Sequence, residues 1–156
     1  TMKLFVRVVG LLGLSCVISL LTACGPAPVK DFAGRELPPV GGEAQYTDQH
    51  GWLAKDEPAL AELCHTDVRV LDFSPAEGQR QIALALEKTA TRLLQEGKVI
   101  QLKPGAKVRI LGYYGGSSSS IRPISPQDKT AEFVKVEVLE GEAKQRSGFT
   151  TTDAVK

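Results

Sequence analysis

Cysteine is the first scarcity: of three in 156 residues, Cys16 and Cys24 lie in the first 24 positions, and only Cys64 stands in the body. One thiol cannot close an internal disulfide, so the body must hold by burial alone. Charge of one sign is also missing, with 19 Lys and Arg against 18 Asp and Glu scattered along the chain. Such balance leaves no electrostatic footprint for nucleic acid. Catalytic signatures are absent as well: there is no GxSxG elbow, no phosphate-cradling glycine loop and no HExxH. Asp31, Asp48, Asp67 and Asp72 are scattered, and no pair is singled out. Cys64, His65 and His50 offer metal-ligand chemistry, but at irregular spacing, and adjacent side chains point apart on a helix or strand. The sequence therefore predicts no catalytic residue, no metal site and no cofactor. Last, no apolar run reaches the roughly 20 residues that a bilayer-spanning helix needs.

What is present begins with a leader. Lys3 and Arg7 make a short cationic start, and residues 8–21 are uncharged and apolar. That is the layout of a signal peptide. Leu21, Thr22, Ala23 and Cys24 follow, and this stretch resembles the lipobox of bacterial lipoproteins. The resemblance implies cleavage before Cys24, a diacylglycerol on its thiol and an acyl chain, palmitate in type, on the freed amine. Each buried methylene of such chains adds about 0.8 kcal/mol of membrane affinity. Cys16, behind Gly13, Leu14 and Ser15, fits the pattern poorly. Gly25 rather than Asp after the cysteine implies the outer membrane, with the body facing the periplasm. Without the leader the charges number 17 against 18, a net −1.

Residues 24–45 combine Gly, Pro and charge with scattered apolar side chains. They are expected to be a flexible tether, of which residues 25–44 would reach about 65 Å if fully extended at roughly 3.3 Å per residue. The alternative is a segment lying on a partner or on its own domain, with Phe32 and Leu37 as its contacts. Residues 46–65 form a short lead-in, with Trp52 and Leu53 as anchors and a helix at Pro58–Leu63. The folded domain is expected over 66–156, starting with a strand at VRVLDF, residues 68–73.

Ser74, Pro75 and Glu77 spell a helix start with a capping box, and Gly97 a left-handed stop. Over 75–96, Ile82, Ala83, Leu86, Ala90, Leu93 and Leu94 fall on one face, whereas Leu84 stands alone on the polar side. From Lys98 onward the period is two: VIQL, a KPGA turn, KVRILGYY, a Gly/Ser-rich loop, EFVKVEVLE, a GEAKQRS turn and GFTTTDAV. Val134, Val136 and Val138 should face inward.

LKPGAKVRIL at 102–111, FVKVEVLEG at 133–141 and SGFTTTDAV at 147–155 resemble, in order and spacing, the strands of bacterial SH3-like domains. Two positions depart from that family: the helix stands where its first long loop would be, and Phe149 where Trp is usual. The expected fold class is thus α+β, a small SH3-like β-barrel with an inserted amphipathic helix behind a signal peptide and tether. The resemblances imply a non-catalytic protein of the cell envelope that binds or scaffolds. Its expected partners are the membrane through Cys24 and an envelope protein or peptidoglycan. The alternative is an immunity or inhibitor lipoprotein against a toxin or wall hydrolase. Tyr113, Tyr114 and the GGSSSS loop beside them are the most ligand-like surface, the alternative being core tyrosines that close the barrel, with Leu84 as a further partner contact.

Overall fold

A computed structural model describes residues 27–48, 51–65, 74–117, 120–125 and 127–156. The expected leader, Cys24, His50 and the strand expected at 68–73 lie outside the described residues.

Seven short strands make one sheet, antiparallel at every strand pair. In chain order the elements are β1 (Glu43–Gln45), β2 (Trp52–Ala54), α1 (Glu57–Cys64), α2 (Pro75–Gln95), β3 (Val99–Gln101), β4 (Lys107–Ser117), β5 (Ser120–Pro123), β6 (Phe133–Val138) and β7 (Ser147–Thr151). A 3-10 turn, Thr152–Ala154, follows. The sheet runs β1-β4-β6-β7-β2-β3, with β5 beside β4. The path is open, with β1 at one end and β3 at the other. Just past β1, however, the chain exchanges backbone bonds with the last residues: Gln45 donates to Lys156 at 2.7 Å, Lys156 to Gln45 at 3.0 Å and Thr47 to Ala154 at 2.7 Å.

Val134, Val136 and Val138 point into the main core and are fully buried, beside Tyr46, Leu53, Ile110 and Val155. The opposite side of β6 is not wet either. Phe133 packs there with Phe149, Ile121, Ala54 and Leu60 of α1 in a second cluster. Helix α1 starts where Asp56 accepts the Ala59 N–H at 2.9 Å, with Pro58 in its first turn.

The segment expected to be a flexible tether is instead part of the fold from Val29 onward. Leu37 and Ala44 are in the main core, Val29 packs against it, and β1 pairs with β4. The reason is apolar: burying one Leu or Val side chain stabilises by about 1.5–3 kcal/mol, and the sheet offers an unpaired edge at β4. Of the two contacts weighed for this segment, Leu37 makes one and Phe32 none, being 76% exposed.

Phe32 sits on a turn that is pinned at several points. Gly34 (φ 80°) donates to the Asp31 carbonyl at 3.0 Å, and the Asp31 carboxylate accepts from the Arg35 backbone N–H at 2.8 Å and from its Nε at 3.0 Å. Arg35 also reaches the Thr152 carbonyl at 3.0 Å. Burial alone would raise the Asp31 pKa, but the Arg35 N–H, then its guanidinium bond and charge, hold it below the usual 3.8. A depressed folded pKa contributes stability that is complete above the unfolded value and is lost as pH falls through the folded one. Asp31→Asn is therefore expected to destabilise at pH 7. Its deficit against the wild type should shrink in denaturant melts as pH falls from the usual 3.8 through the lowered folded value.

Helix α2 matches its expected span but not its expected docking. Ala90 and Leu93 are fully buried and Leu86 half-buried, while Ile82 and Leu94 are each 37% exposed. Burial falls at Ala90 and Leu93 in the last turns and at Gly78 near the start, and the helix meets α1 and β3. Arg92 ties the two helices together, pairing with Glu62 of α1 and with Glu96 at 2.8 Å. The stop is as read: Gly97 (φ 69°) donates to Leu94 at 3.0 Å and Lys98 to Leu93 at 2.8 Å, both bonds of a Schellman motif. The start differs. Ser74 makes no side-chain cap bond, and Glu77 turns to Gln81 and Arg80 instead.

Candidate functional site

The two tyrosines do not form one surface. Strand β4 pairs Ile110 with Val136 but Gly112 with Lys135, so Leu111 is an extra residue in a bulge. One inserted residue reverses the alternation: Val108 and Ile110 point into the main core, and after the bulge so does Tyr113 rather than Gly112. Tyr113 is buried, its hydroxyl donates to the Pro38 carbonyl at 2.5 Å, and burial pushes its pKa up to about 12. It is thereby a clamp on the segment before β1. Tyr114 faces the other side, half-buried and edge-on to Phe149 with ring centroids 5.1 Å apart. Lys135 lies over the Phe149 ring at 5.2 Å. The Gly/Ser run beside them is largely strand. Ser117 pairs with Ser120 and Gly116 with Ile121, and only 118 and 119 between them lie outside the described residues.

The larger recess lies at the other end of β4, along β3. Gly51 accepts the Leu102 N–H at 2.6 Å, and Lys98 accepts the Lys55 N–H at 2.9 Å. These bonds set the phase of the β2–β3 ladder, so Leu53–Ile100 is its middle hydrogen-bonded pair. The backbone groups of Val99 and Gln101 therefore point away from β2. No described residue takes them up. On that side is a groove of about 790 Å³. One wall is β3 with the Lys103–Ala106 turn; the other is the β6–β7 hairpin at Glu140, Glu142, Ala143 and Arg146. Gln145 in that hairpin holds φ 66°, a left-handed conformation that a non-glycine residue adopts at a cost of about 1–3 kcal/mol. Edge strands are usually blunted by charge or proline, as β5 is by Arg122 and Pro123. Within β3, Val-Ile-Gln has neither.

The chain matches no family model, no curated protein and no solved structure.

Cys64 is exposed at the end of α1, and its thiol is raised above the ordinary value by local desolvation and then by the Glu132 carboxylate. A raised thiol is a poor nucleophile and a poor metal ligand at neutral pH. Among the described residues no three His, Cys, Asp or Glu side chains come together as a metal site. No described helix is long and apolar enough to cross a membrane. Leu84 is 48% exposed on the outer face of α2, beside Glu87, Lys88 and Arg92. The sequence did not single out β3. Its signal was the uncharged VIQ between Lys98 and Lys103, but edge position depends on strand order, which no local pattern carries.

Proposed function

We propose that the chain is a lipoprotein of the outer membrane, facing the periplasm, which binds an extended segment of an envelope partner along β3 and catalyses nothing itself. The observation that carries this is the outer edge of β3, unpaired among the described residues and exposed at Gln101, beside the 790 Å³ groove. Strand addition supplies affinity through main-chain bonds and specificity through pockets for alternate side chains. A polypeptide offers the N–H and C=O groups that Gln101, the exposed residue of β3, requires, whereas a glycan strand does not. Lys103 and Arg146 against Glu140 and Glu142 give the groove charge of both signs, suited to a segment of mixed charge. The SH3-like reading of the fold is supported by β4, β6 and β7, which occupy the three resembling segments as successive antiparallel neighbours. In it β1 takes the place expected of residues 68–73 as first strand, and the return of Lys156 to Gln45 brings the two ends of that unit together.

The test is Gln101→Pro. It deletes an outward N–H without deleting a β2 bond, so the domain should lose under about 1 kcal/mol while partner binding weakens by about 1–3 kcal/mol. A photo-crosslinker at Lys103 in the lipidated chain, used in its own cells, should capture one envelope protein that the Gln101→Pro variant loses. Equal capture by both chains rejects the β3 site.

The anchor rests on Leu21 to Cys24. Cys24→Ala is expected to give a full-length precursor that takes up no radiolabelled palmitate, because no other residue supplies the acylated thiol. Label persisting in that variant removes the lipobox reading.

A further inference from the structure

We infer that the Phe32 end of the domain rests on an anionic phospholipid surface, with Phe32 dipped among the headgroups and the β3 groove turned away from the bilayer. The inference rests on Cys24 carrying the lipid.

Phe32 is the most exposed of the large apolar side chains described, at 76%. Its turn is fastened by Asp31, Gly34 and Arg35, and through Arg35 to Thr152, so the backbone that presents the ring is fixed to the body of the domain. Phe32 walls a hollow of about 330 Å³ whose other sides include Gly116, Arg122, Pro123 and Lys129. An aromatic ring beside a recess with two cations suits the headgroup layer, where aromatic side chains keep their apolar body near the acyl chains. Lys30, Arg122 and Lys129 are exposed and make no ion pair among the described residues. Acidic residues lie in the same part of the chain, Glu36 opposite Lys30, Asp128 in the wall of the hollow and Glu132 beside Ala131, while Asp31 is matched by Arg35. With the three cations free of ion pairs among the described residues, their pull on an anionic surface is at most weak, the share of a second signal beside a lipid anchor.

Chain length decides which end faces the membrane. Lys30 is fixed to the sheet, donating to Lys129 at 2.7 Å and accepting from Ala131 at 2.9 Å. Cys24 lies six residues before it, a reach of at most about 20 Å at roughly 3.3–3.6 Å per residue. The groove is at the far end of β4. Ala106 lines it and Gly115 lines the Phe32 hollow, nine residues on, up to about 30 Å away along a strand. An anchor that enters beside Phe32 on so short a lead keeps this end at the bilayer and presents the groove to the periplasm.

The test uses the lipidated chain in vesicles of phosphatidylethanolamine and phosphatidylglycerol, with Cys64→Ser and a nitroxide on Phe32→Cys or on Lys103→Cys. The label at 32 is expected to collide with oxygen and to lose most of its collisions with a water-soluble nickel chelate; the label at 103 should do the reverse. As a second reporter, Phe32→Trp in a Trp52→Phe chain should be quenched by brominated lipid. A label at 32 as open to the chelate as that at 103, with the tryptophan unquenched, overturns the orientation. Mass spectrometry of the same sample separates the two readings: acylated Cys24 with an open label at 32 removes only the orientation, whereas unacylated Cys24 removes the anchor and the orientation together.

Discussion

Gly148→Ala is expected to cost about 3 kcal/mol or more. Gly148 is buried in β7, where it pairs with Val136 of β6 and lies against β2 on its other side. A Cβ there would stand 2.4 Å from the Ala54 carbonyl oxygen, 2.7 Å from Leu53 Cγ and 3.1 Å from the Ala54 carbonyl carbon. Two of these atoms are backbone, so the methyl cannot be accommodated by a rotamer change. Strand β2 must move, and β2 carries β3 while touching α1, so the shift spreads to the groove as well. Gly34→Ala is the matched control. Its φ of 80° is left-handed but nothing lies within 4 Å of the added carbon, so only the conformational cost of about 1–2 kcal/mol remains. Urea melts of both variants give the comparison. If Gly148→Ala costs no more than Gly34→Ala, β2 is not seated on β7.

The second large effect is Leu93→Ala, expected to cost about 2–5 kcal/mol, as buried leucines do. Leu93 is fully buried, three residues after the equally buried Ala90, on a helix that meets α1 and β3. Leu86, one face-repeat earlier, is only half-buried and should cost about 1 kcal/mol, the centre of the range for point substitutions. Leu84→Ala should stay under about 0.5 kcal/mol. This graded series tests the docking of α2 by its C-terminal turns. Equal losses at Leu86 and Leu93 would mean that the helix is seated along its whole length.

Much of this was legible in the sequence. The inward valines of β6, the span of α2 and its stop at Gly97 each depend on a period of two or 3.6, or on one residue that tolerates positive φ. The tether was misread because composition counts apolar residues without seeing where they land. Leu37 and Ala44 are few, but each finds the core, and the neighbouring backbone finds the open side of β4. Among the expected site residues, Leu84 is exposed as read, while Tyr113 and Tyr114 are separated onto opposite faces.

The sequence by itself determined the periods: which stretches are helix or strand, and which side of a regular strand is apolar. Tertiary structure decided the rest. The bulge at Leu111 follows from pairing with β6 rather than from any local signal, and by adding one residue it turned Tyr113 inward to clamp Pro38 and sent Tyr114 out against Phe149. In the same way, Val-Ile-Gln at 99–101 reads as an ordinary strand, and only the order β7-β2-β3 leaves it on the outside. Side-chain alternation is a property of neighbouring residues, whereas register, bulges and edges belong to partners distant in the chain, so the binding surface had to be found in the folded sheet.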